Sequence, residues 1–173
     1  MLKKIDNKIS GNSGFESSGE QVAGNRNNKE MIIFIGIQAS GKTTFYHKQF
    51  AQYEHVSLDI LHTRNKERIA IEEAFSLGKS MVIDNTNPTV ADREGYIRKA
   101  KENRYHVAGY FFQSRVSDCV ERNEKREGKA KVPRTAIAAT SNKLELPSYA
   151  EGFDELYFVH MENGKMLVEG WKE

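Results

Sequence analysis

The chain has 173 residues, 38% hydrophobic and 29% charged, enough for one sizeable core and too few for two ordinary domains. Its 26 Lys and Arg stand against 24 Asp and Glu, which excludes a polybasic protein and confines any nucleic-acid affinity to a local patch. A single cysteine, Cys119, excludes an internal disulfide and a cysteine-built metal cluster and reads as a small helix residue.

Residues 1–29 differ from the rest. Gly, Asn and Ser dominate from Ser10 to Asn28, and so few apolar side chains cannot offset the entropy of ordering the segment. They are expected to form a disordered leader without chemistry, with residues 30–173 as the single domain. Lys3 and Lys4 are followed by Asp6, Asn7 and Lys8 rather than by the apolar core of a signal peptide. The longest strongly apolar stretch, Met31 to Ile37, falls far short of the ~20 residues of a transmembrane helix. The expectation is a soluble, cytoplasmic protein with no membrane contact. Its oligomeric state is left open by the sequence.

From Met31 onward short β-rich runs alternate with helical periods, the pattern of a parallel sheet covered by helices. Strands are predicted at Met31 to Ile37, His55 to Leu58, Met81 to Asp84, His106 to Phe112 and Leu156 to His160, with an extra edge strand at Lys165 to Gly170. Helices are predicted at Lys42 to Tyr53, where Tyr46, Phe50 and Tyr53 share a face, and at Asn65 to Leu77, where Ile71, Ala74 and Phe75 do. More highly charged helices follow at Thr89 to Arg104, Ser117 to Glu127 and Arg134 to Leu144. In such sheets ligands gather at the carboxyl ends of the strands.

The first strand leads into Gly36-Ile37-Gln38-Ala39-Ser40-Gly41-Lys42-Thr43, a full match to G-x-x-x-x-G-K-[ST], and Thr44 continues into the helix. The glycines let backbone N–H groups face a concavity at a helix N-terminus. Lys42 is placed to reach the β- and γ-phosphates and the Thr43 hydroxyl to ligate Mg²⁺. ATP with Mg²⁺ fits better than GTP: Asn65-Lys66-Glu67-Arg68 and Asn142-Lys143-Leu144-Glu145 both lack the aspartate of a guanine-reading N-K-x-D. Asp84 is followed by Asn85 and not by a water-positioning Glu, so water is not the obvious acceptor.

A phosphotransferase needs a carboxylate to take the acceptor's proton and basic groups for the moving phosphoryl oxygens. Asp59, just past the second strand, suits the first role; it would equally serve as a helix cap. After the third strand, Asp84-Asn85-Thr86-Asn87-Pro88 carries more polar groups than a turn requires. Asp84 could hold Mg²⁺ through water, and Asn85, Thr86 and Asn87 could meet a substrate, unless the loop's amides satisfy one another. Arg122 and Arg126, at i, i+4 in a predicted helix, form a candidate lid over the triphosphate or an ordinary solvated face. Arg64, Lys66, Arg68, Arg93, Arg98, Lys99 and Lys101 could line a groove for a phosphate backbone, or lie on solvated helices.

The phosphate loop, the strand-end Asp59, Ile83-Asp84-Asn85-Thr86-Asn87-Pro88, and Arg122-Asn123-Glu124-Lys125-Arg126 with Val132-Pro133 behind it together resemble the kinase domain of the 5′-polynucleotide kinases. The stretch Lys143 to Asp154, with Glu151-Gly152-Phe153 near its end, is similar to the end of that domain. The resemblance spans about residues 31 to 160. It implies a three-layer α/β P-loop kinase fold with a mostly parallel sheet of about five strands and a helical lid. It also implies transfer of the ATP γ-phosphate to a DNA or RNA 5′-hydroxyl, with Asp59 as general base, Lys42 and Thr43 at the phosphates and metal, and Arg122 and Arg126 as lid arginines.

Asn85, Thr86 and Asn87 fall on the family's substrate-side loop, although other members place an Asp at the position of Asn85. The family often has an arginine three residues after its base, where this chain has His62, with Arg64 two further on. The 3′-phosphatase motif D-x-D-G-T is not found. The other readings are a kinase of a small metabolite or nucleoside, and an ATP-binding regulatory module without turnover.

Overall fold

A computed structural model describes residues 29–173; the expected leader lies outside the described residues, apart from Lys29. Six strands form one sheet in the order β2-β3-β1-β4-β5-β6. They are β1 (Glu30–Ile35), β2 (Glu54–Val56), β3 (Met81–Ile83), β4 (His106–Phe112), β5 (Glu155–Glu162) and β6 (Lys165–Gly170). The first five are parallel, and β6 returns antiparallel beside β5 from Tyr157↔Gly170 to Glu162↔Lys165. The sheet therefore has the five expected parallel strands plus the antiparallel edge.

β1 is the most central apolar run because both faces of it are covered. Met31, Ile33 and Ile35 join Ile71 and Ala74 of α3 (Arg64–Leu77) and Ile97 and Ala100 of α4 (Val90–Glu102). Ile32 and Phe34 face the other way, into Phe45, Tyr46 and Phe50 at and beyond α1 (Lys42–Gln49). Phe34 there meets the rings of Phe45, Phe50, Tyr110 and Phe112 at centroid distances of 5.1 to 6.1 Å. These are three layers, helix on sheet on helix.

A third cluster, Ile37, Ala39, Cys119 and Ile137, seats α5 (Val116–Glu124) and α6 (Arg134–Lys143) against the phosphate loop. Several predicted elements end earlier than expected, two of them beside the site. The first helix stops at Gln49 because the chain turns, letting Tyr46 Oη donate to the Tyr53 carbonyl at 2.9 Å. The second strand stops at Val56, and Leu58 instead opens a one-turn helix, α2 (Leu58–Leu61). Among the described residues no helix is long and apolar enough to cross a membrane.

Candidate active site

The loop between β1 and α1 turns tightly enough to put Ala39 in the left-handed region at φ 59°, costly for a residue with a Cβ, and Gly41 at φ 101°. A Cβ at Gly41 would lie 2.5 Å from Met166 Cε of β6, a flexible side-chain end that can move away, so it is the backbone angle that favours glycine. Lys42 is buried, and its Nζ donates to the carbonyls of Gly36 (2.9 Å) and Ile37 (2.7 Å) and lies 3.4 Å from Ser40 Oγ. Burial pulls its pKa down to about 8, against the pull of the Asp84 carboxylate in the other direction.

Thr43 Oγ1 donates to Asp84 Oδ2 at 2.8 Å. Asp84 is buried at the end of β3, and His55 Nε2 of β2 lies 3.0 Å from the same oxygen. The His55 ring is held by the Tyr46 ring, stacked at 3.8 Å and 13°. Among the described residues no three His, Cys, Asp or Glu converge as a self-sufficient metal site. One hydroxyl and one carboxylate meeting beside a phosphate loop suit Mg²⁺, which takes few protein oxygens and fills its octahedron with phosphate and water.

Asp59 sits in the first turn of α2, exposed, and hydrogen-bonds no described residue. It caps neither neighbouring helix: Ser57 is the N-cap residue of α2, and Thr63 caps α3 by accepting from Lys66 N. Leu58 N donates to Asn85 Oδ1 at 2.9 Å, and Asn85 Nδ2 donates to Glu67 Oε1 at 2.6 Å. Arg64 Nη1 reaches Glu67 Oε2 (2.9 Å) and Tyr96 Oη (2.8 Å), and Tyr96 Oη donates to Glu67 Oε1 (3.0 Å). Burial, followed by the Glu67 carboxylate, pushes the Tyr96 phenol up to about 12.

The polar loop after β3 is divided in its allegiance. Thr86 borders the cavity while its carbonyl accepts from Gly36 N at 3.0 Å, joining this loop to the phosphate loop. Asn87, at φ 42°, is buried and spends its amide on the Phe34 carbonyl at 2.8 Å. It braces the backbone from inside.

Arg93, expected as one possible lining of a phosphate groove, is wholly buried. Its Nε and Nη2 fork onto Glu151 at 2.7 and 2.8 Å, and Nη1 donates to the carbonyls of Asn87, Pro88 and Glu145. The Glu151-Gly152-Phe153 segment thereby holds the polar loop: Glu151 takes Arg93, Gly152 turns at φ 105°, and Phe153 enters the core. Other members of the expected groove are paired on the surface, Arg68 with Glu72, Arg98 with Glu102 and Lys101 with Asp154.

Arg122 and Arg126, expected in a lid, do not share a helix face, because α5 ends at Glu124. Arg122 Nε donates to the Ala39 carbonyl at 2.7 Å and so steadies the left-handed turn of the phosphate loop. Arg126, beyond the helix, is exposed and reaches the Ala130 carbonyl at 3.3 Å. From α6, Thr140 Oγ1 accepts from Gln38 Nε2 at 3.0 Å.

One cavity of about 1100 Å³ is bordered by Gln38, Ala39, Ser40, Gly41, Lys42 and Thr43 of the phosphate loop, by Asp59, His62 and Arg64, by residues 84 to 88, and by Arg126 and Lys143 from the lid side. Gly36, Ile37, Thr44 and Arg122 do not border it; Arg122 lines a small crevice with Ser40 and Met166. Sequence reasoning misses Glu67 and Tyr96 and places Arg93 in a surface groove instead of the interior. A signal existed for two of them: Glu67 lies in register with Ile71 and Ala74, and Arg93 with Ile97 and Ala100, so each is a charge on the buried stripe of its helix.

The fold and the phosphate loop define a P-loop ATP-binding kinase domain. A family model described as "AAA domain" matches residues 31–147, and the chain belongs to that family. Among curated proteins it is 34% identical over 154 residues to a putative bifunctional polynucleotide phosphatase/kinase of Acanthamoeba polyphaga mimivirus, covering 83% of this chain and 37% of that protein. It is 30% identical over 148 residues to the bifunctional polynucleotide phosphatase/kinase of Schizosaccharomyces pombe, covering 83% of this chain and 36% of that one. The chain thus spans little more than a third of these relatives. In fold it is similar to Chaetomium thermophilum Kti12 in complex with ADP-AlF3, at a TM-score of 0.61 and 18% identity over 77% of this chain and 90% of that one.

Proposed function

We propose that this domain transfers the ATP γ-phosphate to the 5′-hydroxyl of a DNA or RNA strand. The observation that carries the proposal is that Asp59, free of hydrogen-bonding partners among the described residues, borders the same cavity as Lys42, Thr43 and Asp84. A phosphotransfer site requires that pairing of an available base with a phosphate cradle. The two polynucleotide phosphatase/kinase relatives support the choice of acceptor.

In this reading the backbone of Gln38 to Thr43 and the helix α1 N-terminus hold the β- and γ-phosphates, and Thr44 extends the cradle along α1. Lys42 turns from its own loop carbonyls to the phosphate oxygens. Thr43 and Asp84 hold Mg²⁺, which when bound neutralises charge on the phosphates. Asp59 accepts the proton of the attacking hydroxyl, Arg64 grips a phosphate of the acceptor, and Arg126 stabilises the transferring group from the lid. Asn85 and Thr86 shape the acceptor side.

A second reading is a short acceptor, a nucleoside or nucleotide. It is favoured by the surface pairing of Arg68, Arg98 and Lys101, which leaves little continuous positive surface beyond Arg64 for a long strand. Labelled γ-phosphate transfer to 5′-hydroxyl oligonucleotides, beside a 3′-nucleoside monophosphate, separates the two. Label on the oligonucleotide that disappears with Asp59→Ala supports the first, and label only on the mononucleotide supports the second. ATP binding with no transfer to either would leave a non-catalytic nucleotide-binding role.

A further inference from the structure

Glu67 is a carboxylate placed where helix α3 otherwise presents Ile71 and Ala74 to the core, and its side chain is 5% exposed against 65% for Arg64 beside it. Burying a charge there is costly unless every oxygen is occupied. Both are: Oε2 takes Arg64, and Oε1 takes Asn85 Nδ2 and Tyr96 Oη. The donors come from three elements, α3, α4 and the loop after β3, so one side chain fixes the relative positions of all three.

Two consequences reach the cavity. With its NH₂ committed to a carboxylate, Asn85 must present its oxygen to the other side, where it accepts from Leu58 N, the residue before Asp59. Glu67 thus sets the amide orientation that holds the turn bearing Asp59. On the other side it and Tyr96 share Arg64 Nη1, while the Nε and Nη2 groups hydrogen-bond no described residue and Arg64 borders the cavity. A guanidinium anchored at one nitrogen, with its remaining N–H groups available, is prepared for an oxyanion.

We infer that Glu67 is a positioning residue that fixes the Asp59 turn and the Arg64 guanidinium as one acceptor-side unit. The inference rests on the phosphotransfer reading given above. Glu67→Gln keeps an oxygen that can accept from Asn85 but removes the charge that holds Arg64. Glu67→Ala removes both supports. The two variants therefore differ in a defined way.

The test measures transfer to a 5′-hydroxyl oligonucleotide together with backbone amide exchange at Leu58, for the wild type, both variants and Glu72→Gln, whose exposed carboxylate pairs with Arg68 outside the cavity. Glu67→Gln is expected to raise the acceptor KM about tenfold with kcat little changed. Glu67→Ala is expected also to lower kcat by about tenfold and to speed Leu58 amide exchange by at least about as much. The ATP KM should hold in both, and Glu72→Gln should match wild type.

Equal loss of ATP and acceptor affinity, or wild-type kinetics in Glu67→Ala, would overturn the inference. If Glu67→Ala does not fold, the KM against kcat split of Glu67→Gln decides. If the wild-type protein labels no oligonucleotide, the polynucleotide acceptor fails. The Leu58 exchange rates then decide alone: acceleration in Glu67→Ala upholds the positioning unit, and an unchanged rate refutes it.

Discussion

Lys42 carries an ammonium into a site where burial holds its pKa near 8, below the 10.5 of an exposed lysine. Below pH 8 the folded protein bears the full desolvation cost of that charge. Between about 8 and 10.5 it has shed the proton while the unfolded chain keeps it, so folding becomes more favourable as pH rises. The stability of the wild type relative to Lys42→Met should therefore climb across this window, by no more than about 3 kcal/mol. Urea unfolding of both proteins at pH 7.5 and 10.5 reads it, and a flat difference would mean an ordinary lysine. At Asp59, Asp59→Asn should reduce phosphate transfer by at least about a hundredfold while ATP affinity stays within about twofold, by isothermal titration.

At the scale of elements, two buried charges do what apolar residues do elsewhere on the same helices. Replacing Arg93 by Met keeps most of the volume but strands Glu151 and three carbonyls, a loss of about 3–5 kcal/mol measurable by urea unfolding. Arg93→Lys should rescue little, since an ammonium cannot fork onto Glu151 and still reach Asn87, Pro88 and Glu145. The capping box of α4, in which Thr89 and Asp92 satisfy each other's backbone N–H, predicts a loss of about 1 kcal/mol for Thr89→Ala.

These elements also show what the sequence revealed and why it stopped. Strand and helix order, the phosphate loop and the extra edge strand are legible because period and glycine spacing are local signals, whereas the antiparallel direction of that edge is not. The fates of Arg93 and Asn87 are not, since both are decided by partners far along the chain, Glu151 and Phe34. The shared helix face expected for Arg122 and Arg126 fails for a related reason. The i, i+4 spacing of Arg122 and Arg126 counts only while the helix lasts, and α5 ends between them.

At the scale of the whole molecule, near-neutral net charge means that any grip on a polynucleotide is local. If a strand is the acceptor, with Arg64, Arg126 and Lys143 at the cavity, its KM should rise with salt along a shallow log–log slope, of about two or three phosphates' worth. A slope near zero would favour the short acceptor, and a slope of six or more would demand a longer binding track.

The Arg93 to Glu151 tie also orders events in time. β1, β3 and β4, with the phosphate loop, are complete by residue 112, whereas the loop from Asp84 to Pro88 waits for a guanidinium anchored by a residue 58 positions downstream of Arg93. During synthesis, a nascent chain that displays the domain only as far as residue 130 would have β1, β3 and β4 but lack the anchor of the loop after β3. The phosphate loop's contacts with Ile137 and Thr140 would come next, and the anchor of the Asp84 to Pro88 loop last.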